Sequence, residues 1–385
     1  MNPGVHPHNR HALAAAVMLT LTVPAASATD GFWATAGGGS WATAANWDGG
    51  DIANGAEDTA YFGLFADIPA NTVVTLDGAR TIGHLVFTDS SGADGVTLNP
   101  GAGGPLTLVA TLDTPSLTVI PLAQTVTVNV PLAGTNGLEK IGSGTLVLSA
   151  TNIYTGETLV SGGTLLANGR FASEAVTVAV GGRLGGTGVV SAPVVVQSGG
   201  TLAPGNPLGT LSLSNSLGLQ PGSLARVEVN AATTGYDFVQ GMTSVNYDGS
   251  LVVCNLAGTP ALGQSFQLFS AASASGNFTN LTPQLGGGLR WRFLPASGVL
   301  SVVSSASQPV IASYALAGGV ISLEVTNGPP GATAYLLGST NVALSVTNWT
   351  RLATNVFDVS GERRFTNAMT STPQRFYRVS YTATP

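Results

Sequence analysis

The sequence is poor in charge, and this shortage excludes several classes of partner. Only 8% of its 385 residues are charged and 7% are aromatic, although 44% are hydrophobic. Soluble domains usually carry about 25% charged residues. Thirteen basic residues face nineteen acidic ones, so the chain lacks the cationic surface that binds nucleic acids or anionic membranes. Its apolar content also excludes a disordered, highly charged chain.

Long apolar runs and cysteine pairs are missing as well. Beyond the N-terminus no segment approaches the roughly 20 apolar residues that span a bilayer, so no transmembrane anchor is expected. The single cysteine, Cys254, cannot form an intramolecular disulfide. It lies in the strand-like run 251–256, where we expect a small buried hydrophobic residue. The core and the backbone hydrogen bonds must therefore hold the chain together.

Residues 1–28 have the three parts of a secretory signal peptide. A polar start that contains Arg10 precedes the apolar run 12–23, and residues 26–28 are the small residues of a cleavage site. We therefore expect a protein that is secreted or held at the cell surface. Cleavage would leave His84 as the one histidine of the mature chain.

Glycine-led segments repeat through the middle of the chain. Their first glycines are spaced 19, 19 and 18 residues apart: Gly144, Gly163, Gly182 and Gly200. Valines alternate with polar or small residues over 126–130 and 176–180, which is the period of a β-strand. Short strands at a period near 20 residues predict a right-handed parallel β-helix over residues 29–305. At one coil per period this region would form roughly 14 coils and a rod on the order of 65 Å long.

The most specific motif lies within residues 134–165. Residues 137–158 read GLEKIGSGTLVLSATNIYTGET, which holds every fixed position of the pattern G-L-x-K-x-G-x-G-T-L-x-L-x-x-x-N-x-Y-T-G-x-T. The chain thus resembles the autotransporter-associated β-strand repeat proteins, over about residues 31–304. The resemblance implies an exported β-helical passenger on or near the cell surface. Nothing after residue 305 is expected to form the family's translocator barrel, which needs many alternating strands, so the chain resembles a secreted relative that lacks one.

Both ends of the chain differ from the repeats. Trp33, Trp41 and Trp47 suit a cap over the first coil, which a solenoid needs, or exposed rings that stack on a glycan; we favour the cap. At the other end, a linker and alternating strands over 306–385 predict a small antiparallel β-sandwich of six or seven strands. Five arginines in this segment suit a solvated strand face or contact with an acidic glycan. They are Arg351, Arg363, Arg364, Arg375 and Arg378.

Few residues have the chemistry of an active site. Glycosidases need two carboxylates roughly 5–9 Å apart, and Glu139, Glu157 and Glu174 are acids whose spacings of 18 and 17 residues approach one coil. His84 is the remaining candidate for a metal site or a serine–histidine pair, but a plain strand residue is the simpler interpretation. We therefore assign no catalytic residue, no cofactor-binding residue and no metal ligand.

The sequence predicts an exported, non-catalytic structural or adhesion-type protein that presents a β-helical rod. Its partners would be extracellular polysaccharide or cell-surface components, and its oligomeric state is left open. One alternative is a polysaccharide lyase or hydrolase built on the same rod. Another is a carbohydrate-binding protein that uses the three tryptophans or the face of the C-terminal domain.

Overall fold

The computed structural model describes residues 29–64, 71–88, 95–305, 308–369 and 374–382. The predicted signal peptide, residues 1–28, lies outside them. The described part is all-β, and its helical segments are three single turns of 3-10 helix: Ala44–Asn46, Asp48–Gly50 and Val346–Asn348. Within the same ranges no helix is long and apolar enough to cross a membrane.

Most strands belong to coils that stack in parallel along a rod. Each coil contributes one strand to a first sheet, called sheet 1, and pairs with the coils before and after it. The eleven strands of sheet 1 are, in stacking order, Gly31–Phe32, Thr59–Phe62, His84–Phe87, Ser116–Val119, Leu138–Ile141, Thr158–Val160, Val176–Val178, Val194–Val196, Leu217–Leu219, Val245–Tyr247 and Ala274–Gly276.

Each coil also contributes one strand to a second sheet, called sheet 2. The eleven stacked strands of sheet 2 are Gly39–Ser40, Thr72–Leu76, Val96–Pro100, Thr125–Val128, Thr145–Leu148, Gly163–Ala167, Gly182–Gly186, Thr201–Pro204, Leu224–Asn230, Ser250–Asn255 and Asn280–Thr282. A short strand, Gly235–Tyr236, joins its edge antiparallel to Leu224–Asn230.

A third side of the rod is paired in two separate runs. The first run stacks Arg80–Ile82, Leu106–Leu108 and Leu132–Ala133. The second stacks Arg170–Phe171, Val189–Val190, Thr210–Leu213, Phe238–Met242 and Phe269–Ala271. The predicted parallel β-helix is therefore confirmed.

The rod has fewer coils than the sequence predicted. Eleven coils at about 4.8 Å give a stack about 48 Å long, not the 65 Å expected from 14 coils. In sheet 1 the period of 18–20 residues holds only for the strands that begin at residues 138, 158, 176 and 194. Elsewhere longer corners lengthen the coil; the strand that begins at His84 is followed by one that begins at Ser116, 32 residues later.

Like residues stack inside the rod. One interior row of sheet 2 is fully apolar across eight coils: Val126, Leu146, Leu165, Leu184, Leu202, Ala225, Leu251 and Leu281. Burial of each leucine contributes about 1.5–3 kcal/mol relative to an exposed side chain. Glycine makes the corners possible: Gly142 has φ +80°, and a Cβ there would lie 2.2 Å from the carbonyl oxygen of Val119.

An antiparallel sheet and an aromatic cluster close the C-terminal end of the rod. The sheet contains Ser265–Gln267, Leu289–Leu294 and Val299–Ser304. The ring of Phe293 lies 5.0 Å from those of Tyr247 and Phe278. These residues were expected to continue the coils, but their strands run antiparallel and cover the last coil.

The C-terminal segment forms a sandwich of two antiparallel sheets. One contains Val310–Ala317, Val320–Thr326 and Arg363–Ala368, and the other contains Thr333–Ser339, Thr350–Val356 and Phe376–Thr382. Leu323, Leu336 and Phe365 are buried between them. Six strands among the described residues match the predicted β-sandwich, while the domain limits 29–305 and 306–385 remain predictions.

Candidate functional site

Three side chains that can bind a metal meet at one edge of sheet 1, near the N-terminal end of the rod. The ligand atoms of Glu57, His84 and Asp113 all lie within 4.8 Å of one another. Nε2 of His84 is 3.4 Å from Oδ1 of Asp113. Across the described ranges, this is the one group of three histidine, cysteine or acidic side chains at such proximity. We call it the His84 cluster.

The stacked coils place the three side chains. Thr59, His84 and Ser116 occupy the same position on three neighbouring strands of sheet 1, and Glu57 and Asp113 lie on the corners that lead into the first and third of these strands. The backbone N–H of His84 donates to the carbonyl oxygen of Asp58, at 3.0 Å. The cluster therefore joins three consecutive coils.

Hydrogen bonds hold two of the three side chains. Nδ1 of His84 is 2.9 Å from Oγ of Ser116. Oε1 of Glu57 accepts hydrogen bonds from the hydroxyl of Thr111, at 2.6 Å, from its backbone N–H and from the N–H of Leu112. The pKa of Glu57 is lower than usual, mainly because of the hydrogen bonds from Thr111. Glu57 is thus a carboxylate with one oxygen fixed and its second oxygen, Oε2, without a hydrogen bond from the described residues.

Ser116, His84 and Asp113 are also the residue types of a serine hydrolase triad. The hydroxyl of Ser116 is within hydrogen-bond reach of the imidazole, as a nucleophile and its base must be. However, Ser116 is only 8% exposed, whereas Asp113 is 63% exposed. The exposed part of the cluster is therefore its carboxylate side and not the serine, which suits ligand binding better than acyl transfer.

Two further acids, Asp237 and Glu228, lie near each other where sheet 2 meets its short antiparallel strand. Asp237 is 1% exposed, and its two oxygens accept hydrogen bonds from the backbone N–H groups of Gly209, at 3.0 Å, and Glu228, at 2.8 Å. Burial raises the pKa of Asp237 to about 7 in spite of these bonds. Two nearby carboxyl groups, one with a raised pKa, are typical of glycosidases. Here both oxygens of Asp237 bind backbone, which makes it a link between coils.

The three glutamates with near-coil spacing do not form a row. Glu139 pairs with Leu159 in the next coil, while Glu157 follows Gly156 on the corner before that strand. Glu139 and Glu157 have different hydroxyl donors: Ser161 for Glu139, and Thr177, at 2.6 Å, for Glu157. A sequence spacing near one period was insufficient to align these acids in space, because the coils differ in length by one or two residues.

The three N-terminal tryptophans are packed against one another. Trp33, Trp41 and Trp47 are 1%, 1% and 2% exposed, and Trp47 lies edge-on to the other two, with ring centroids 5.2 and 5.1 Å away. Their indole N–H groups donate to the carbonyl oxygens of Gly37, Ala53 and Trp41. These rings cover Phe62 in the next coil and leave no face for a sugar, so the geometry favours the cap over the glycan contact.

Cys254 also differs from expectation. It is half-buried, not buried, because it follows the interior residue Val253 and its side chain lies on the outer side of sheet 2. Nε of Arg226 is 3.2 Å from its sulfur.

The motif GLEKIGSG contains a lysine inside the rod. Lys140 has 0% exposure, and its ammonium donates to the carbonyl oxygens of Ile141, Gly142 and Gly162 at 2.9, 3.0 and 3.1 Å. Burial lowers the pKa of Lys140 to about 8, while the three carbonyl acceptors favour the charged form. The lysine therefore ties its own coil to the next one.

Two further motif residues satisfy buried backbone groups. Oδ1 of Asn152 accepts a hydrogen bond from the N–H of Leu132, and its Nδ2 donates to the carbonyl of Ala150, both at 3.1 Å. The hydroxyls of Tyr154 and Thr158 are 2.7 Å apart in the interior. The sequence profile of the Passenger-associated-transport-repeat family matches residues 138–167, which contain these side chains. The chain therefore contains a passenger-associated transport repeat over these residues.

Two relatives resemble this repeat protein over part of its length. The Adhesin BmaC autotransporter of Brucella suis biovar 1 (strain 1330) is 31% identical over 270 residues, which are 65% of the chain and 7% of the adhesin. An Extracellular serine protease of Serratia marcescens is 41% identical over 98 residues, which are 26% of the chain and 9% of the protease. The chain therefore spans less than a tenth of either relative. These similarities support a secreted or cell-surface location for the repeat protein.

The C-terminal sandwich of this repeat protein has an outer face that is rich in arginine and aromatic residues. The guanidinium carbon of Arg351 lies 4.0 Å from the ring centroid of Tyr335. Both line a concavity of about 350 Å³ together with Trp349 and Tyr381. Arg378 flanks Leu337 on the strand opposite to Arg351. Within the described residues neither arginine forms an ion pair. We call this surface the Arg351 face.

The sequence indicated some of these features and missed others. It singled out His84 and the arginines after residue 350, but not their neighbours. The His84 cluster escaped because its members are 27 and 29 residues apart, outside the period of 18–20 that marked the repeat. A search for acids one long coil on either side of the lone histidine would have found Glu57 and Asp113.

Proposed function

We propose that this protein is a non-catalytic surface rod of the adhesion type. The observation that carries the proposal is an outward row of sheet 2 in which four threonines and one arginine stand in register on consecutive coils: Thr125, Thr145, Thr164, Arg183 and Thr201. The row borders a shallow concavity of about 220 Å³.

Such a row suits contact with a long, hydroxyl-rich polymer. Its side chains repeat every 4.8 Å or so along the rod, and the threonines stack without the repulsion that a row of like charges would cause. Each hydroxyl offers one donor and two acceptor sites. Similarity to an adhesin segment supports the same role, and the partners we propose are extracellular polysaccharide or cell-surface components.

A flow assay tests the role of the row. Beads coated with the purified protein are passed over immobilised extracellular polysaccharide, and the retained fraction is measured. We expect retention to fall several-fold for the double variant Thr145→Asp/Thr164→Asp. The matched control is Thr118→Asp, which places one charge on the outer side of sheet 1. Circular dichroism checks that each variant is folded. Equal retention of all three proteins, or no retention of the wild type on any polysaccharide, would refute the proposal.

A second candidate function is the binding of an acidic polysaccharide at the Arg351 face. The specific observation is the placement of Arg351 over Tyr335 beside Trp349 and the unpaired Arg378. Residues 29–305 contain sixteen acidic and seven basic residues, whereas residues 308–385 contain three acidic and five basic ones. Carboxylates on a polyuronate complement the arginines, and sugar rings stack on exposed aromatic faces. Of these two segments, only the C-terminal one thus has a net positive charge.

Affinity for polygalacturonate tests this second function against neutral dextran. We expect binding to polygalacturonate alone, weakened at least tenfold by Arg351→Gln and by higher salt. The control is Arg364→Gln, because Arg364 lies on the other sheet and is paired with Glu324, at 3.1 Å. Equal loss from both variants would indicate attraction by net charge, and binding to dextran would contradict an acidic ligand.

A further inference from the structure

We infer that the His84 cluster is a binding site for a divalent transition-metal ion of the Zn²⁺ type, which ties three coils of the rod together. Its ligands would be Nε2 of His84, Oδ1 of Asp113 and a carboxylate oxygen of Glu57. The inference is independent of the proposed function, because it rests on a different part of the rod.

The distances fit a small, four-coordinate ion. Zinc binds histidine nitrogen and carboxylate oxygen at about 2.0–2.2 Å in tetrahedral sites, which places two ligands about 3.4 Å apart. The separation of Nε2 of His84 and Oδ1 of Asp113 is already 3.4 Å. Glu57 lies within 4.8 Å of both, so a small rotation of its side chain completes the set. Water would fill the fourth position on the exposed side of Asp113.

The chemistry of the ligands selects the class of ion. Two carboxylates and a neutral imidazole carry a charge of −2, which a divalent cation neutralises. Calcium and magnesium prefer sets made of oxygen alone, whereas imidazole favours zinc, copper and nickel. Zinc fits best among these ions, since its tetrahedral preference matches the spacing of 3.4 Å between Nε2 of His84 and Oδ1 of Asp113.

Hydrogen bonds from neighbouring residues orient two of the three ligands for metal binding. The hydrogen bond between Nδ1 of His84 and Ser116 fixes the ring and, with Nδ1 as donor, leaves the lone pair of Nε2 free; this is the usual outer partner of a histidine ligand. The bonds from Thr111 hold Oε1 of Glu57 and leave Oε2 available. Two ligands are thus oriented by side chains and strands before any ion arrives.

The position of the cluster gives the metal a structural consequence. Glu57, His84 and Asp113 belong to three consecutive coils, and the strands between them pair in register. An ion that binds only the folded chain stabilises it in proportion to the logarithm of its free concentration over Kd. The same coils lie next to the tryptophan cap, so the metal would secure the N-terminal end of the rod.

Metal binding is tested on the protein after removal of the predicted signal peptide and its three histidines, purified without a histidine tag and stripped with EDTA. Calorimetric titration with ZnCl2 is expected to give one ion per chain with a micromolar or tighter Kd, and saturation is expected to raise the Tm. Co²⁺ as a spectroscopic substitute should give the visible bands of a tetrahedral site. His84→Gln should abolish both signals, and Ser116→Ala should weaken binding by about 10–100-fold.

Two controls make the result decisive. Asp248→Asn removes an acid remote from the cluster and should leave binding unchanged, and circular dichroism shows whether His84→Gln remains folded. If His84→Gln does not fold, Asp113→Asn serves instead, because Asp113 is exposed and its loss leaves the core intact. Absence of zinc binding by the folded wild type, or binding that His84→Gln and Asp113→Asn both retain, would overturn the inference.

Discussion

The ammonium of Lys140 donates a hydrogen bond of 3.1 Å to the carbonyl oxygen of Gly162, in the next coil of the rod. Lys140 is fully buried, so the motif places its one positive charge inside the solenoid and not on its surface. The partner carbonyls belong to Ile141, at the end of its strand, and to the corner glycines Gly142 and Gly162. The repeat motif therefore encodes a corner of the coil together with the lysine that links this corner to the next coil.

Replacement of Lys140 should destabilise the rod. Lys140→Met keeps the length of the side chain but leaves three carbonyl oxygens without their donor, and each unsatisfied buried group costs about 1–3 kcal/mol. We expect the free energy of unfolding to fall by at least about 2 kcal/mol, as measured by urea denaturation. Arg170→Met, which removes an exposed cation, should stay within about 0.5 kcal/mol of the wild type. An equal loss of unfolding free energy in the two variants would refute the role of Lys140 in linking the coils.

Lys140 should also change how the free energy of unfolding depends on pH in the alkaline range. Its pKa is about 8 in the folded chain and about 10.4 when unfolded. Between these values the unfolded chain holds the proton that the folded chain has lost, so this group makes stability rise with pH. We expect the stability difference between wild type and Lys140→Met to widen from pH 8 to pH 10. A constant difference would show that the pKa of Lys140 is not lowered.

Asp237 should act in the opposite direction at acidic pH. Its pKa is raised to about 7, so between pH 4 and pH 7 the folded chain binds the proton that the unfolded chain has released. This group therefore makes stability fall as pH rises through that window. Asp237→Asn, which carries no charge, should flatten this part of the pH profile while losing one acceptor for the N–H groups of Gly209 and Glu228. An unchanged slope would contradict the raised pKa.

The tryptophan cap should be essential for the first coils. Trp41 is 1% exposed and its indole N–H donates to Ala53 at 3.0 Å. Trp41→Ala should cost about 3–5 kcal/mol, as for other large buried aromatic residues, and should open the N-terminal coils to limited proteolysis. Trp349→Ala, at a half-buried position of the C-terminal domain, is the control and should leave the N-terminal cleavage pattern unchanged. Equal protection in both variants would argue against a cap.

The C-terminal sandwich should be coupled to the end of the rod through Arg292 and Glu362. Nη2 of Arg292 lies 2.8 Å from Oε1 of Glu362, and the two side chains are 20% and 32% exposed. A double-mutant cycle with alanine should give a coupling energy of about 0.5–1 kcal/mol that declines with salt. The more exposed pair Arg364 and Glu324, within the sandwich, should show less. No coupling for Arg292 and Glu362 would indicate that the two parts are not joined by this pair.

Much of the fold could be predicted from the sequence, since a solenoid repeats a local pattern. Alternating valines such as those of Val176–Val178 and glycines such as Gly182 identify strands and corners directly. The number of coils could not be predicted, because long corners such as the one between Phe87 and Ser116 leave no periodic signal. The register between coils could not be predicted from the sequence either. It determines that Glu139 and Glu157 do not align while Thr125 and Thr145 do.

The candidate sites were less predictable than the fold. The burial of the tryptophans depends on how the first coil closes, which no local pattern encodes. The His84 cluster depends on three corners of unequal length, and the Arg351 face depends on a β-bulge between Leu336 and Leu337 that brings Arg351 beside Tyr335. In each case the deciding contact joins residues that belong to different strands or coils.

The chain length of a bound polysaccharide is the most direct test of a non-catalytic rod. The purified protein is incubated with each polysaccharide that retains it, and the size of the polymer is followed by size-exclusion chromatography with detection of reducing ends. We predict that the polymer stays bound at its original length. Shortening that continues with time and stops in Asp237→Asn or Glu228→Gln would contradict the account and identify the rod as a polysaccharide-degrading enzyme.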